Sequence, residues 1–548
     1  LASSGGALDI TDSKVTILDS NFSGNQSDYA GGAIAALNSI ISVSSGTFSL
    51  NQINLNNGGG AINAEYGSLI LTDCTFNQNQ ATLDGGAIDA EKLDLNTTNC
   101  VFTNNRNSMN NGGGAIALSY GVWSDLNSSY NDNYSASSGG ALDIADSNVT
   151  IMDSNFSKNQ SMYSGGAIKI VDSNLSIKKS YFTDHVAGSN GGAINITSSE
   201  LFIGESVFRE NHSDYWGGSI LANTSTVEIS NSQIIENNAS TGGSINCTDS
   251  NFTIMDSNFS GNQSDYAGGA IAAVNSNIKV SAGTFSHNQV NLNNGGGAIN
   301  AEYGSLILSD CTFNQNLATL AGGAIYAEKL DLNTTNCNFT NNRNSINNGG
   351  GAIALSYGVW SDLSGSYSNN YSASSGGALD IADSNVTIQK SYFVENRSDH
   401  NGGAIYHSGG NLSSFDNSFI RNYASQGGGV YCNQSTSLIF GNNSFIANET
   451  SIMGTGGALF INDVNSQVQI TNSLLHSNKA SVCGVISPSV STLFTNCTLT
   501  QNNASAFGSI AGLFEGQFID FQNSILWNNS DDTLKTENFL IVGSVNRQ

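Results

Sequence analysis

The chain has 548 residues, of which 61 are glycine and one is proline, and 11% are charged. A hydrophobic share of 39% is too high for a disordered protein, so a regular structure must bury these residues. The net charge of −26 argues against nucleic acid or an anionic membrane as a partner. No apolar run reaches the ~18 residues of a membrane-spanning segment.

The sequence repeats from its first residues onward. A Gly-Gly pair followed by a small and an aliphatic residue occurs at 5–8 as GGAL and recurs every 25 to 28 residues. In most repeats an aromatic residue follows 17 positions later and an asparagine three positions after that, as in Phe22 and Asn25. The repeat pattern becomes irregular beyond residue 480, so we interpret 480–548 as degenerate terminal coils. The chain starts inside a repeat, which predicts a processed chain or a segment of a longer one.

Within a repeat, apolar and polar residues alternate in three short runs that turn residues separate. Leu8 and Ile10 lie two apart in the first run, Val15 and Ile17 in the second, and Phe22 belongs to the third. This period predicts three short strands per repeat. A pitch of about 26 residues without helical periodicity predicts an all-β fold, a parallel β-helix of about 20 coils, which we expect to be right-handed. We expect residues 1–548 to form one continuous rod, roughly 100 Å long at about 4.8 Å per coil.

Equivalent positions of successive coils should form columns. Gly-Gly provides a corner with positive φ, and the asparagine should occupy a second turn in left-handed geometry and hydrogen-bond to neighbouring coils. The aromatic column should lie in the interior, where each ring contributes roughly 2–3 kcal/mol. The predicted core ladder consists of Phe22, Phe48, Phe76, Phe102, Phe156, Phe182, Phe208, Phe259, Phe285, Phe313, Phe339, Phe393, Phe419 and Phe445.

A longer repeat overlies the short one. Residues 17–150 reappear almost unchanged at 254–387, a displacement of 237 residues or nine coils. Copying whole coils lengthens a solenoid without new packing, because each coil contacts only its neighbours. Most length variation falls between the asparagine and the next Gly-Gly, so these loops should stack along one edge and project outward.

The alternation of two tetrapeptides in fixed phase resembles the repeat of chlamydial polymorphic outer-membrane proteins. GGAI occurs at 31–34, 85–88, 165–168 and 191–194, and the FxxN pattern occurs as FSGN at 22–25, FNQN at 76–79 and FREN at 208–211. The resemblance covers nearly the whole chain. It implies a β-helical, adhesive autotransporter passenger with an exported, non-enzymatic role at the cell surface. The many N-x-S/T sequons depart from that pattern and suit a eukaryotic secreted glycoprotein better.

These sequons are candidate N-glycosylation sites, with an accident of composition as the alternative. Asn21, Asn155 and Asn258 each precede an inward aromatic residue, so they should point into solvent and accept glycans. Asn25, Asn159 and Asn262 also belong to sequons, but they lie in the asparagine column and should be poorer acceptors. The candidates are Asn21, Asn96, Asn148, Asn155, Asn174, Asn195, Asn223, Asn251, Asn258, Asn333 and Asn385.

Cysteines recur at one position of neighbouring coils. Cys74 and Cys100 form the first such pair, and Cys311 and Cys337 form its copy. Stacked neighbours lie within disulfide range by Cα distance, but in-register parallel strands hold Cβ atoms wider apart than a relaxed bridge prefers. Both a disulfide and a pair of buried thiols therefore remain open.

No catalytic, cofactor or metal site emerges from the sequence. Asp9, Asp89, Asp143 and Asp380 share a column but never occupy adjacent coils, so we interpret them as solvated surface residues. The histidines lack metal-ligand spacing, and the GGGAI runs lack the Lys-Ser/Thr of a phosphate loop.

The tryptophans of the duplicated segment YGVWSDL, Trp123 and Trp360, fit wall packing better than a sugar platform. A solenoid without a catalytic site favours a structural role. We predict a non-enzymatic, glycosylated extracellular rod that is part of a fibre or surface appendage, with strand edges at its ends that promote end-to-end self-association. The alternative is an adhesin that binds host or neighbouring cells through stacked loops such as INLNNG at 53–58 and RNSMNNG at 106–112. A polysaccharide lyase or hydrolase is the least favoured hypothesis.

Overall fold

The computed structural model describes residues 4–55, 58–109, 112–292, 295–346, 349–462, 467–513, 518–531 and 539–541. It is an all-β parallel β-solenoid of about 19 turns with ~26 residues per turn and three sheets, and the described residues contain no helix. This confirms the predicted parallel β-helix with three strands per turn, and its right-handed sense stays a prediction. Two compact units divide the chain: the first comprises Leu1–Ser264 with Ala270–Asn277, and the second comprises Asp265–Gly269 with Ile278–Gln548. That the whole chain is one continuous β-helix stays a prediction.

Each turn has three sides, named here in chain order. The first side is the longest and usually consists of two strand segments, between which one residue with positive φ bends the chain, as Asp146 does (φ 48). In several turns the two segments merge into one strand of 11 residues. The strands of the first side are Leu8–Thr11, Lys14–Leu18, Ile34–Ser44, Ile62–Thr72, Ile88–Thr98, Ile116–Ser119, Val122–Leu126, Leu142–Ala145, Asn148–Met152, Ile168–Val171, Asn174–Lys178, Ile194–Thr197, Glu200–Gly204, Ile220–Asn223, Thr226–Ser230, Ile245–Thr248, Asn251–Met255, Ile271–Ser281, Ile299–Ser309, Ile325–Thr335, Ile353–Ser356, Val359–Leu363, Leu379–Gln389, Ile405–Phe415, Val430–Asn433, Ser437–Gly441, Leu459–Asn462, Gln467–Thr471, Ile486–Pro488, Thr492–Thr495, Ala511–Leu513, Ile519–Gln522 and Phe539–Ile541.

The second and third sides are short. The strands of the second side are Asn21–Ser23, Thr47–Ser49, Thr75–Asn77, Val101–Thr103, Ser129–Asn131, Asn155–Ser157, Tyr181–Thr183, Val207–Arg209, Gln233–Ile235, Asn258–Ser260, Thr284–Ser286, Thr312–Asn314, Asn338–Thr340, Ser366–Ser368, Tyr392–Val394, Ser418–Ile420, Ser444–Ile446, Leu474–His476, Thr498–Thr500 and Ile525–Trp527. The strands of the third side are Gln26–Ser27, Gln52–Ile53, Gln80–Ala81, Arg106–Asn107, Tyr134–Ser135, Gln160–Ser161, Val186–Ala187, His212–Ser213, Asn238–Thr241, Gln263–Ala267, Gln289–Val290, Leu317–Ala318, Arg343–Asn344, Tyr371–Ser372, Arg397–Ser398, Tyr423–Ala424, Glu449–Thr450, Lys479–Val482, Asn503–Phe507 and Ser530–Asp531.

Neighbouring turns of each unit pair in parallel and in register. On the second side of the first unit, Phe22 pairs with Phe48 and Phe102 pairs with Tyr130. Along each strand every second side chain faces inward, as in Val122–Leu126, where exposed and buried residues alternate. The core therefore lies between the three sides, and each inward position repeats from turn to turn.

The Gly-Gly corners need glycine for two different reasons. The first glycine of the pair has positive φ in most turns, as at Gly139 (φ 69) and Gly165 (φ 64), where a side chain would be strained. The second glycine packs against the next turn. A Cβ on Gly140 would overlap the carbonyl oxygen of Gly166. The corner therefore selects glycine by backbone geometry at one position and by close approach at the other.

We expect Gly140→Ala to lower the free energy of unfolding by about 3 kcal/mol or more, because backbone on the next turn must move to admit the methyl group. Gly24→Ala is the matched control. Gly24 has positive φ (64), but a methyl group there would meet no other atom within 4 Å, so only strain of about 1–2 kcal/mol is expected. Urea denaturation followed by circular dichroism measures both. Equal losses in the two variants would contradict the close approach of the turns.

The ladder asparagines do not adopt the left-handed geometry that the sequence predicted. Positive φ falls on the residue before each of them, as at Leu50 (φ 57) before Asn51 and Gln78 (φ 56) before Asn79. The exposed preceding residue makes the bend, and the asparagine that follows points into the interior. The prediction was wrong by one residue, because only a buried amide can reach the neighbouring turn from inside.

Candidate functional site

An aromatic ladder fills the interior of each unit. Phe22 and Phe48 lie with ring centroids 4.9 Å apart and an interplanar angle of 5°, and Phe102 stacks on Tyr130 at 4.9 Å. The predicted phenylalanines other than Phe22 are fully buried, and Phe22 is half-buried. In-register pairing imposes this face-to-face geometry. In the first unit Ile234 takes the place of a ring between Phe208 and Phe259.

An amide ladder runs beside the rings. Asn79 Nδ2 donates to the Phe48 carbonyl and to Asn105 Oδ1, both at 3.0 Å, and the backbone N–H of Asn79 donates to the same Asn105 oxygen at 3.1 Å. The pattern repeats in later turns, so each buried amide is satisfied by its neighbours. The predicted hydrogen bonding between coils is present even though the predicted φ was wrong.

His185 interrupts the amide ladder of the first unit. Its Nδ1 accepts a hydrogen bond from the backbone N–H of Asn159 at 3.1 Å, and the backbone N–H of His185 donates to Asn211 Oδ1 at 3.2 Å. Burial lowers the pKa of His185 to about 3, so the imidazole is neutral at neutral pH. It therefore acts as an uncharged member of the ladder.

Serine ladders line the corners and were not anticipated. The Ser147 N–H donates to Ser173 Oγ at 2.9 Å, and the Ser173 N–H donates to Ser199 Oγ at 3.0 Å. A second ladder includes Ser128 and Ser154, with an N–H to Oγ distance of 3.1 Å. The recurring tripeptide Asp-Ser-Asn was the signal in the sequence, because its serine returns at a fixed position.

The cysteine pairs continue the second serine ladder as stacked thiols. Cys74, Cys100, Cys311 and Cys337 are free thiols with exposures of 0% to 1%. Cys74 Sγ donates to the Thr72 carbonyl at 3.3 Å. The structure describes both pairs as stacked, buried thiols, and disulfides between them stay a prediction.

A buried carboxyl group forms a polar network in the first unit. Asp125 Oδ1 accepts hydrogen bonds from Thr97 Oγ1 at 2.5 Å and from the Tyr130 hydroxyl at 3.0 Å, and Asp125 Oδ2 accepts from Ser154 Oγ at 2.7 Å. Trp123 Nε1 donates to Thr97 Oγ1 at 2.9 Å. Trp123 is therefore an interior residue, and its indole supports the carboxyl network.

The second unit has the same network around Asp362. Its carboxylate accepts hydrogen bonds from Thr334 Oγ1 at 2.5 Å, Tyr367 at 3.1 Å and Ser391 Oγ at 2.6 Å. Trp360 Nε1 donates to Thr334. Burial raises the pKa of Asp362 to about 6. The only sequence signal was a tyrosine in place of phenylalanine in the aromatic ladder, five residues after the aspartate.

The aspartate column on the outer face is not uniformly solvated. Asp9 is exposed, but Asp89, Asp143 and Asp380 are half-buried, so the sequence interpretation was wrong for these three. Burial raises the pKa of Asp89 to about 8 and that of Asp380 to about 7. Gly112, which precedes the Gly-Gly corner of the previous turn, lies over this column, and its N–H donates to Asp143 at 3.2 Å. Loop length, which the strand pattern does not reveal, decides this burial.

Most candidate glycosylation sites lie on the surface. Of the three sequon asparagines in the amide ladder, Asn159 and Asn262 are fully buried, and Asn25 is half-buried. The half-buried candidates are Asn195, Asn223 and Asn258, and Oδ1 of Asn258 is itself buried, which departs from the predicted outward orientation. The exposed candidates are Asn21, Asn96, Asn148, Asn155, Asn174, Asn251, Asn333 and Asn385.

The longer loops present apolar side chains to solvent. Leu55 in the predicted adhesive loop at 53–58 is 57% exposed, and Met109 in the loop at 106–112 is 58% exposed. Residues 56–57 and 110–111 of these loops lie outside the described residues. Their counterparts in the second unit are Leu292 and Ile346, at 55% and 51%. The described residues include no group of three or more His, Cys, Asp or Glu side chains placed to hold a metal ion. In the same part of the chain no helix is long and apolar enough to cross a membrane.

Stacked turns, parallel sheets and internal ladders define the protein as a β-solenoid repeat protein. The family model of the Chlamydia polymorphic membrane protein repeat matches the chain at residues 19–37, 73–91, 256–274, 310–328 and 390–408. The chain thus carries repeats of this type, which confirms the resemblance seen in its tetrapeptides.

No curated protein matches the sequence. Among solved structures, a mutant of the PL6-family alginate lyase AlyGC aligns over 96% of this chain and 97% of its own, with 9% identity and a TM-score of 0.23. A similarity at that level carries no argument about activity.

Proposed function

We propose that this protein is a non-enzymatic surface protein whose solenoid units are stiff elements of an extracellular fibre or appendage. The observation that carries the proposal is the set of internal ladders. Phe76 stacks on Phe102 at 4.8 Å, and Asn79 is bonded to Asn105. The same contacts recur in most turns, and His185 in the amide column and Ile234 in the ring column are exceptions in the first unit. Interior side chains are thus used to join turn to turn, which resists bending and local unfolding.

The repeat matches support a place at the cell surface. Chlamydial polymorphic membrane proteins are outer-membrane surface proteins, and five segments of this chain share their repeat. Electron microscopy of native material tests the structural role. Filaments with a repeat of many turns would support the fibre, and the proposed end-to-end self-association predicts them. Isolated molecules on the cell surface, without filaments, would contradict it.

N-linked glycans are part of the proposal. We expect glycosylation at Asn155, which is exposed, and none at Asn159, which is fully buried four residues later in the same turn. Both asparagines belong to sequons, so the pair separates burial from sequence. Glycopeptide mass spectrometry of the chain secreted from a eukaryotic host measures the occupancy of each. Glycan on Asn159 with none on Asn155 would reverse the assigned orientation.

An adhesin is the second candidate, and the exposed loop tips favour it. Leu55, Met109, Leu292 and Ile346 place apolar side chains at equivalent loops of the two duplicated blocks. A contiguous patch of exposed apolar residues that polar residues surround is typical of a protein-binding surface, so the tips of one block would have to act together. Replacing all four by serine should abolish adhesion to target cells and leave the fold unchanged. Unchanged adhesion of that variant would exclude these tips as the binding surface.

A further inference from the structure

The second unit has a cavity of about 210 Å³ where a loop covers the outer face of the first side. Tyr326, Ala354 and Asp380 occupy the same position in three consecutive turns. The small side chain of Ala354 leaves open space between the tyrosine ring and the carboxylate. Ala321 and Gly349 from the covering loops and Leu355 complete most of the wall. The cavity is therefore largely apolar, with one carboxylate in its lining.

Asp380 has no cationic partner among the residues that line the cavity. The backbone N–H of Gly349 hydrogen-bonds to the carboxylate, and burial raises the pKa of Asp380 to about 7. A Cβ on residue 349 would overlap an Asp380 oxygen, so glycine at this position leaves room for the carboxylate. A partly buried carboxylate in apolar surroundings is stabilised when a cation binds to it.

The duplicated block of the first unit shows which cation fits. Asp143 is the copy of Asp380, and it accepts a hydrogen bond from the Gly112 N–H in the same way. The next turn places Lys169 in register with Asp143, and the Lys169 Nζ lies 3.2 Å from the carboxylate. In the second unit the residue in register with Asp380 is Tyr406. The chain thus supplies an ammonium group to one copy and none to the other.

Two further substitutions between the copies change the cavity wall together. Asp84 and Asp89 of the first unit correspond to Ala321 and Tyr326 of the second. Burial raises the pKa of both aspartates. The negative charge of Asp143 raises the pKa of Asp84 further, and the negative charge of Asp84 raises that of Asp89 further. The first copy thus groups several carboxylates near its lysine, whereas the second offers methyl groups and an aromatic ring beside a single carboxylate. A ring and a carboxylate in a narrow apolar cavity suit the methylenes and the charge of an alkylammonium group.

We propose that this cavity binds a primary alkylammonium group from outside the chain, with Asp380 as its ion-pair partner and the Tyr326 ring as its apolar wall. The group is supplied either by a lysine side chain of a partner protein or by a free amine. Such a site is compatible with a fibre and with an adhesin, so it is independent of the proposed structural role.

Saturation-transfer difference NMR on the full chain tests the site, with Nα-acetyl-lysinamide as the probe. The neutral isostere Nα-acetyl-norleucinamide is the matched control. We expect saturation transfer to the lysine methylenes and at least a tenfold weaker signal for norleucine. Asp380→Asn keeps the shape of the side chain and should weaken lysine binding by about tenfold or more. No lysine-dependent signal in the wild type, or an unchanged signal in D380N, would overturn the proposal.

A second variant tests whether an internal lysine can take the place of the external ammonium group, as Lys169 does beside Asp143. Tyr406→Lys places a lysine where Lys169 lies in the first unit, so it should fill the cavity from within and abolish probe binding. Tyr406→Phe keeps a ring without an amine and should bind as the wild type does. Undiminished binding to Y406K would overturn the proposal independently of D380N. Comparing butylamine with a lysine-containing peptide then separates the sources: equal affinity supports a free amine, and tighter peptide binding supports a partner protein.

Discussion

Replacing Phe102 by alanine is expected to lower the free energy of unfolding by about 3–5 kcal/mol. Phe102 is fully buried and lies between Phe76 at 4.8 Å and Tyr130 at 4.9 Å, so its removal leaves a cavity between two rings. Neighbouring turns are held by their own hydrogen bonds and cannot collapse into that space. Urea denaturation monitored by circular dichroism measures the loss.

Phe102→Leu is the control, because the chain itself has Leu475 and Leu499 at the corresponding position of later turns. Leucine keeps much of the volume, so a loss below about 1.5 kcal/mol is expected. A loss below that value for F102A as well would show that the ring is not packed inside the turns.

The second large effect concerns pH. The unfolding free energy of the wild type minus that of Asp362→Asn should fall by about 3 kcal/mol as the pH rises from about 4 to 7. Asp362 titrates near 6 in the folded chain against an ordinary pKa of 3.8, because burial disfavours the charged carboxylate. The folded state therefore binds the proton more tightly, and this stabilisation is complete below about pH 3.8 and lost as the pH rises through about 6.

Subtracting the unfolding free energy of D362N from that of the wild type cancels the contributions of buried histidines, whose effect on stability has the opposite pH dependence. Burial lowers the pKa of His185 to about 3 and that of His407 to about 4, so their contribution is present above about pH 6.5 and is lost as the pH falls. Both histidines are unchanged in D362N. Chemical denaturation at several pH values measures the difference, and a difference that is independent of pH would show that Asp362 is solvated.

The fold could be predicted from the sequence because every position of a turn recurs in a column. Phe102 and Asn105 each have the same residue types about 26 positions away, and only stacking in register satisfies both patterns. The assignment of interior rings and amides needed no information beyond this periodicity. The error of one residue in the left-handed position arose because periodicity gives the spacing of a turn and not its φ angles.

The surroundings of the aspartates could not be predicted, and three identical octapeptides show why. Asp9, Asp143 and Asp380 are each the aspartate of a segment SSGGALDI. Asp9 is exposed, Asp143 pairs with Lys169, and Asp380 lines a cavity. Lys169, which distinguishes the surroundings of Asp143, lies on the next turn, 26 positions away, and Tyr406 is at the corresponding position beside Asp380. Local sequence is therefore the same while the chemistry differs.

The most direct measurement of the stacked turns is a set of distances between spin labels on the second side of the first unit. Ser49, Asn77, Thr103, Asn131, Ser157 and Thr183 pair successively in register. Double electron–electron resonance between labels at Ser49 and Thr183 should give about 24 Å between backbone positions, five steps of about 4.8 Å. Moving the second label to Ile235, two turns further on, should lengthen the distance by about 10 Å. Distances that do not grow by this step with each added turn would contradict the solenoid.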